Sequence, residues 1–159
     1  MGHPSFFSSF RYAVSGIITA LKQERNLRFH LCAAVYVLLF SLFYSFGPVE
    51  YAILLLAISG VMSMELVNSA LERTVENPEP ARWRTAGVVK DMAAGAVLVF
   101  SIGAAACGLL LFGQPAVLLN IVKWFWGRPF MILLLAASLV LSWMFVFCPK
   151  KLFRRRKKP

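Results

Sequence analysis

Four long apolar stretches dominate this sequence, at residues 29–46, 49–71, 92–112 and 130–147. Each approaches or exceeds the roughly 18 to 20 residues that a helix needs to cross the hydrocarbon core of a bilayer. Backbone groups find no water partners there, so helix is the form that we expect for all four. With 59% hydrophobic residues in 159 positions, the chain is also too apolar for a soluble domain of its size. The sequence therefore predicts an all-α integral membrane protein.

The segment before the first apolar stretch, residues 5–28, is amphipathic. Apolar side chains recur at steps of three and four between Phe6 and Leu21, with Arg11 and Lys22 among the polar residues between them. This periodicity is that of a helix with one apolar face. We expect it to lie on the membrane surface and to precede three transmembrane helices and an additional C-terminal one.

The segment between the third and fourth apolar stretches, residues 116–126, carries Lys123, Trp124 and Trp126. Tryptophans favour the headgroup level, so this segment is either interfacial or an early start of the fourth helix. We accordingly divide the chain into an N-terminus with a surface helix (1–28), a core of three spans (29–112), and an interfacial segment with a fourth span and a basic tail (113–159).

The basic residues predict the topology. Fifteen of the 17 lysines and arginines lie before the first stretch, between the second and third, or after the fourth, and only Lys123 and Arg128 lie elsewhere. By the positive-inside rule, both termini and the middle loop are cytoplasmic. The net charge of +10 comes from these flanks and not from a stripe on a polar domain, so we do not expect nucleic acid as a partner.

Glu65 and Asn68 lie inside the second apolar stretch, where an ionised side chain costs about 2.5–3.5 kcal/mol on insertion scales. With Glu72 they are spaced i, i+3 and i+7, which places them on one face of a helix. Ionisable residues at membrane depth usually mark functional sites. The alternative is polar contact between helices, with Glu65 protonated or paired and Glu72 solvated. The spacing alone leaves both interpretations open.

Two further charged groups flank the spans. Lys90 and Asp91 open the third stretch, where alone they are typical of a snorkelling lysine and a helix N-terminal cap. Residues 24–30 are alone typical of a charged anchor. Together, carboxylates and cations on one cytoplasmic face suit a magnesium nucleotide, because oxygens hold the metal and cations contact the phosphates. The sequence contains no Walker loop and no kinase-type glycine loop, so neither soluble scheme applies.

Two separated motifs carry a family resemblance: residues 65–72 are ELVNSALE and residues 89–98 are VKDMAAGAVL. Upstream, residues 10–13 (FRYA) with Gly16 and residues 24–30 (ERNLRFH) fit the same pattern. These motifs and their spacing resemble the prokaryotic diacylglycerol kinases, small integral membrane lipid kinases. The Glu-Arg-Asn form is closer to their undecaprenol kinase branch.

The resemblance implies a homotrimer in the bacterial inner membrane, with active sites at its cytoplasmic boundary. It implies transfer of the γ-phosphate of MgATP to a lipid hydroxyl. Carried over by position, Glu65 would be the general base, and Asn68 would orient Glu65 or the phosphates. The residues that would bind metal and nucleotide are Glu24 and Glu72 for Mg²⁺, Lys90 for the phosphates, Asp91 for positioning, and Tyr12 with Gly16 for the pocket wall.

The sequence also departs from the family pattern. Glu76 stands where an aspartate is usual, and residues 77–84 lack the usual Glu-Tyr-His-like stretch. A three-span member would end outside near Phe112, whereas here a fourth span would return the basic tail to the cytoplasm. The simplest interpretation is a topological anchor. The alternative is that the tail attracts anionic lipid or nucleotide phosphates.

The function predicted is an ATP-dependent lipid kinase, with undecaprenol favoured and diacylglycerol close behind. The alternative is a non-catalytic membrane scaffold or a degenerate family member. A transporter suits the sequence less well, because the chain is short and shows no paired broken helices.

Overall fold

The computed structural model describes residues 6–76 and 79–147. Within them the chain is helical, with no strand, and the predicted all-α class is confirmed. The α-helices are α1 (Phe6–Gln23), α2 (Arg25–Ser41), α3 (Pro48–Thr74), α4 (Trp83–Phe112), α5 (Pro115–Trp126) and α6 (Pro129–Phe147), and a 3₁₀ turn at Pro80–Arg82 precedes α4. Proline begins α3, α5 and α6, because its fixed φ suits a first helical position that needs no N–H donor. The basic tail lies outside the described residues.

Three of these helices, α3, α4 and α6, are long and apolar enough to cross a membrane. The predicted first span is shorter as a helix, since α2 has 17 residues and ends at Ser41. After it, the N–H groups of Leu42, Phe43 and Tyr44 bond to carbonyls three residues back, which makes a turn. Three of the four predicted spans are therefore confirmed by length and composition, and the crossing by α2 stays a prediction.

Contacts at both of its ends place α2 beside α3 and α4. At its start, Glu24 accepts a hydrogen bond from Arg73 in the last turn of α3. Beyond its end, the Tyr44 hydroxyl donates to the carbonyl of Phe112, the last residue of α4, at 2.8 Å. Thus α2 runs antiparallel to α3 and parallel to α4. With the turn that follows it, α2 extends from one end of the α3–α4 pair to the other.

Helices α3 and α4 form the most extensive pair of the fold. The ring of Phe100 on α4 lies where a Cβ atom at Gly60 on α3 would stand. Helices in a membrane associate through close packing, and a glycine lets a neighbouring side chain approach the backbone. Gly60 therefore belongs to the packing of the core pair.

For Gly60→Leu we expect a loss of about 1–3 kcal/mol of stability, because the larger side chain must displace the Phe100 ring. The thermal unfolding midpoint in detergent measures it. Gly103→Leu is the matched control, since a Cβ atom there has no neighbour within 4 Å. Equal shifts in both variants would contradict this role of Gly60.

The two segments that connect the long helices α3, α4 and α6 both contain helix. Residues 115–126 form α5 as a helix of its own, ended at Gly127, and not an early start of α6. The Phe43 ring packs against Trp124 and Phe125 of α5, so α5 lies at the end of the bundle remote from Glu24. The predicted middle loop is shorter than the gap between the second and third apolar stretches, because α4 already begins at Trp83.

The additional helix α6 packs on α2. The Tyr36 hydroxyl of α2 lies 3.2 Å from the Ser138 hydroxyl and 2.9 Å from the Ser142 hydroxyl of α6. Serines four residues apart share one face of a helix, so one tyrosine hydroxyl contacts both. Such hydroxyl contacts suit a helix pair in lipid, where apolar contact alone gives little preference for one partner.

Candidate active site

The polar face of α3 reaches one end of the bundle. Glu65 and Asn68 are buried, with only 3% and 6% of their surfaces exposed. Glu72, one turn further on, is half-buried, and its Oε1 accepts a hydrogen bond from Asn68 Nδ2 at 3.1 Å. The face predicted from the spacing is therefore continuous in the structure. It leads from the interior of the helix pair to its Glu24 end.

The first turns of α2 cover the Glu65 carboxyl. The Asn26 side chain donates a hydrogen bond to it, and His30 lies near enough to interact with it electrostatically. Glu24 and Glu72 interact with Glu65 as well. Across the described ranges, Glu65 forms no ion pair with lysine or arginine. The carboxyl thus has an amide as its hydrogen-bond donor and an imidazole nearby.

Asn26 and His30 were not among the predicted site residues. The sequence carried one signal for them, because residues four apart share a helix face and both belong to the ERNLRFH motif. That signal becomes informative only when α2 is known to pack against the polar face of α3. The charged-anchor interpretation of residues 24–30 therefore describes only part of their role.

Glu24 lies at the break between α1 and α2, with extended backbone at φ −99° and ψ 120°. Its N–H bonds to the Ala20 carbonyl at 2.7 Å, and its carbonyl accepts from the Arg28 N–H at 3.4 Å. Its side chain does not cap α2 and instead accepts a hydrogen bond from Arg73 Nη2 at 2.7 Å. The pair is partly exposed, and such pairs stabilise little.

Arg73 is also absent from the predicted site residues. In the sequence it is one of the basic residues that predict the topology. In the structure it follows Glu72, pairs with Glu24, and lines an open cleft between α1 and α3. Arg73 pairs with Glu24, a candidate metal ligand, and a cation in that position is well placed to contact the phosphates of a nucleotide.

The cleft between α1 and α3 is lined by small and hydroxyl-bearing side chains, among them Ser15, Thr19 and Ser69. Gly16 lines it too, and a Cβ atom there would have no protein neighbour within 4 Å. Tyr12, one turn earlier, is 64% exposed and does not line the cleft. Of the two predicted pocket residues, the structure thus brings Gly16 to the cleft.

Lys90 and Asp91 lie on α4, about two turns after its start at Trp83. Their interpretation as a helix cap is therefore wrong, because the cap position lies before Trp83. Lys90 is half-buried and Asp91 is exposed. In residues 6–76 and 79–147, neither forms an ion pair or a side-chain hydrogen bond with the Glu65 group.

Magnesium binding by Glu24 and Glu72 stays a prediction, and two carboxylates would make a site of the open type. The described part of the chain contains no group of three or more His, Cys, Asp or Glu that could cage a metal. Mg²⁺ commonly binds one or two carboxylates together with substrate phosphates and water. Beside them, Asn68 Oδ1 is buried without a hydrogen-bond partner among the described residues, and a buried acceptor of this kind normally has one.

Known proteins match the part of the chain that contains these site residues. The family model for prokaryotic diacylglycerol kinase matches residues 11–112. Undecaprenol kinase of Bacillus subtilis (strain 168) is 40% identical over 107 residues, which cover 67% of this chain and 87% of that protein. Diacylglycerol kinase of Synechocystis sp. is 35% identical over 113 residues, which cover 70% of this chain and 65% of that protein.

Diacylglycerol kinase of Haemophilus influenzae is 26% identical over 98 residues, which cover 62% of this chain and 83% of that protein. No solved structure matches significantly. The family match ends at Phe112, so α5 and α6 lie beyond it. The predicted resemblance is confirmed, and the chain belongs to the prokaryotic diacylglycerol kinase family of membrane lipid kinases.

Proposed function

We propose that this membrane lipid kinase transfers the γ-phosphate of MgATP to undecaprenol in preference to diacylglycerol, giving undecaprenyl phosphate. The observation that carries the proposal is the buried Glu65 carboxyl on helix α3, with the Asn26 amide bonded to it and His30 nearby on α2. A base on a membrane helix can reach a hydroxyl that stays in the bilayer. The preference for undecaprenol rests on the 40% identity to a protein named undecaprenol kinase and on the ERNLRFH motif.

In the proposed reaction, the lipid hydroxyl oxygen attacks the γ-phosphorus of ATP. A new P–O bond to the lipid forms, the bond between the γ-phosphorus and the β,γ-bridging oxygen breaks, and ADP leaves. The hydroxyl proton goes to Glu65, whose ionised carboxylate is the acceptor. Asn26 orients that carboxylate through its hydrogen bond. Phosphoryl transfer needs positioning and charge neutralisation above all, and this arrangement supplies the positioning.

Glu24 and Glu72 are the residues that would hold Mg²⁺, and the ion would neutralise the charge of the phosphate oxygens. The Asn68 amide ties Glu72 to the Glu65 face at 3.1 Å, and its unpartnered Oδ1 is free to accept a hydrogen bond from a water or a ligand. Arg73 holds Glu24 in this structure. We expect Arg73 to turn to the nucleotide phosphates when the metal takes its carboxylate partner.

The remaining assignments concern the nucleotide. Lys90 would contact its phosphates and Asp91 would position it. Gly16 would leave room for it in the cleft, with Tyr12 at the outer edge. The cleft supports this placement because it joins Gly16 to Arg73, and Arg73 is bound to a proposed metal ligand.

We further propose that the protein is a homotrimer of the bacterial inner membrane, with both termini and the site on the cytoplasmic side. One observation supports the shared side. The start of α2, the end of α3 and the end of α6 meet, since Glu24 pairs with Arg73 and Arg28 bonds to the Val146 carbonyl. Arg25, Arg28 and Arg73 lie at that end, as the positive-inside rule expects of a cytoplasmic face.

Gly16→Ala separates nucleotide binding from stability. We expect the KM for ATP to rise about tenfold, because the added methyl group narrows the cleft, with the KM for lipid unchanged. Stability should not fall, since alanine in a helix interior is favoured over glycine by roughly 0.5–1 kcal/mol. Steady-state kinetics and thermal unfolding measure the two effects. An unchanged KM for ATP would place the nucleotide elsewhere.

The decisive test of function uses purified protein in bilayers, with MgATP and either undecaprenol or diacylglycerol. We expect both lipids to be phosphorylated, with a higher kcat/KM for undecaprenol. Faster phosphorylation of diacylglycerol would overturn the preference. Phosphorylation of neither lipid would overturn the activity and favour a non-catalytic scaffold.

A further inference from the structure

Arg28 is a buried arginine that joins two helix ends. Only 5% of its surface is exposed. Its Nε and Nη2 donate to the Val146 carbonyl of α6 at 3.2 and 2.9 Å. Its Nη1 donates to the carbonyls of Leu21 and Lys22 in the last turn of α1, at 3.2 and 3.4 Å. Across the described ranges it has no carboxylate partner.

The chemistry of these contacts explains how the charge is tolerated. The last carbonyls of a helix lack intrahelical donors and carry the negative end of the helix dipole. Arg28 supplies donors to both α1 and α6, and its planar fork allows it to bind in two directions at once. A lysine would keep the charge but offers a single nitrogen, which cannot reproduce the fork.

The position of this contact links α6 to the proposed site. Arg28 follows Glu24 by one turn, and its N–H bonds to the Glu24 carbonyl. It therefore fixes the corner between α1 and α2 where Glu24 stands. Because α6 lies beyond the family match, its share of this contact is a feature of this chain that the family does not account for.

We propose that α6 is more than a membrane anchor: through Arg28, its C-terminal end braces the α1–α2 corner and so positions Glu24 for the magnesium nucleotide. Arg28 is then a positioning residue. The consequence for turnover rests on the proposed function, whereas the mechanical link between the two helix ends does not.

The test uses the full chain in lipid nanodiscs and two variants that approach the link from opposite sides. Arg28→Lys removes the fork and keeps the charge. Val146→Pro changes α6 alone, because proline breaks the last helical turn there. Arg84→Lys is the control, since it makes the same change at an exposed position in the first turn of α4.

Hydrogen–deuterium exchange is the first readout. In both variants, we expect faster exchange in the last turn of α1 and the last turn of α6 together, because local opening spreads through cooperative units. The second readout is kinetic. We expect the KM for MgATP to rise about tenfold, the size of one lost hydrogen bond to a charged group, with the KM for lipid unchanged and kcat reduced less than the KM rises. The Arg84→Lys control should leave both readouts as in the unmodified protein.

Two results would overturn the proposal. One is normal exchange at the end of α1 in Val146→Pro, which would show that α6 does not brace the corner. The other is coupled exchange with an unchanged KM for MgATP, which would show that the brace does not reach Glu24. If the unmodified protein phosphorylates no lipid, the exchange data still decide the mechanical link, so failure of the proposed function remains distinguishable.

Discussion

Glu65→Gln should lower kcat by about 10²- to 10⁴-fold, the range that general acid–base catalysis contributes. Glutamine matches the shape of glutamate and can still accept the hydrogen bond from Asn26. It cannot take the proton of the lipid hydroxyl. The fold should therefore persist while the chemical step is lost, and burst kinetics with thermal unfolding measure the two separately.

Glu50→Gln is the matched control, because it makes the same change on the same helix at the opposite end. There Glu50 Oε2 accepts a hydrogen bond from the Gly47 N–H and caps the start of α3. We expect unchanged turnover and at most the small loss of stability of a weakened cap. Full activity of Glu65→Gln would refute its role as base, and its failure to fold would favour polar contact between helices.

Glu72→Gln should raise the Mg²⁺ concentration for half-maximal activity by about 100-fold, the upper end of the range for residues that orient a metal ligand, because here a proposed ligand itself is changed. Glutamine keeps an oxygen that can accept from Asn68, so the α3 face is preserved. The negative charge that attracts the metal is lost. Activity measured against Mg²⁺ at saturating ATP gives the shift, and turnover should recover in part at high Mg²⁺.

The control for Glu72 is Glu79→Gln, an exposed acid in the segment before the 3₁₀ turn. It removes the same charge near the same end of the bundle, outside the proposed ligand set. A general electrostatic effect would shift both variants equally. An unchanged Mg²⁺ requirement in Glu72→Gln would remove Glu72 from the metal site.

The predictions that held depend on patterns within one helix. The polar face of α3 follows from the spacing of Glu65, Asn68 and Glu72, because a helix repeats every 3.6 residues. The long apolar runs fix α3, α4 and α6 in the same way. The third apolar stretch begins well after α4 does, because hydropathy marks where a helix becomes apolar and not where it begins. Trp83 opens a polar first stretch that the same helix includes.

The predictions that missed depend on contacts between helices. In the sequence, Arg73 and Arg28 are both basic residues next to an apolar stretch. Nothing in that pattern distinguishes them from residues that only set the topology. One pairs with Glu24 across 49 positions of chain and the other bonds to Val146 across 118. No local pattern encodes such a partner, because the free energy of the contact depends on how two helices pack.

By itself, the sequence determined an all-α membrane protein with a carboxylate face on its second apolar stretch, and its motifs pointed to a lipid kinase family. These features rest on hydropathy and on spacing along single helices. Only the tertiary structure decided which side chains surround Glu65, which cation holds Glu24, and what α6 touches. Those answers come from helix packing, which brings Asn26, His30 and the end of α6 to one end of the bundle, where the buried Glu65 and Arg28 have hydrogen-bond partners.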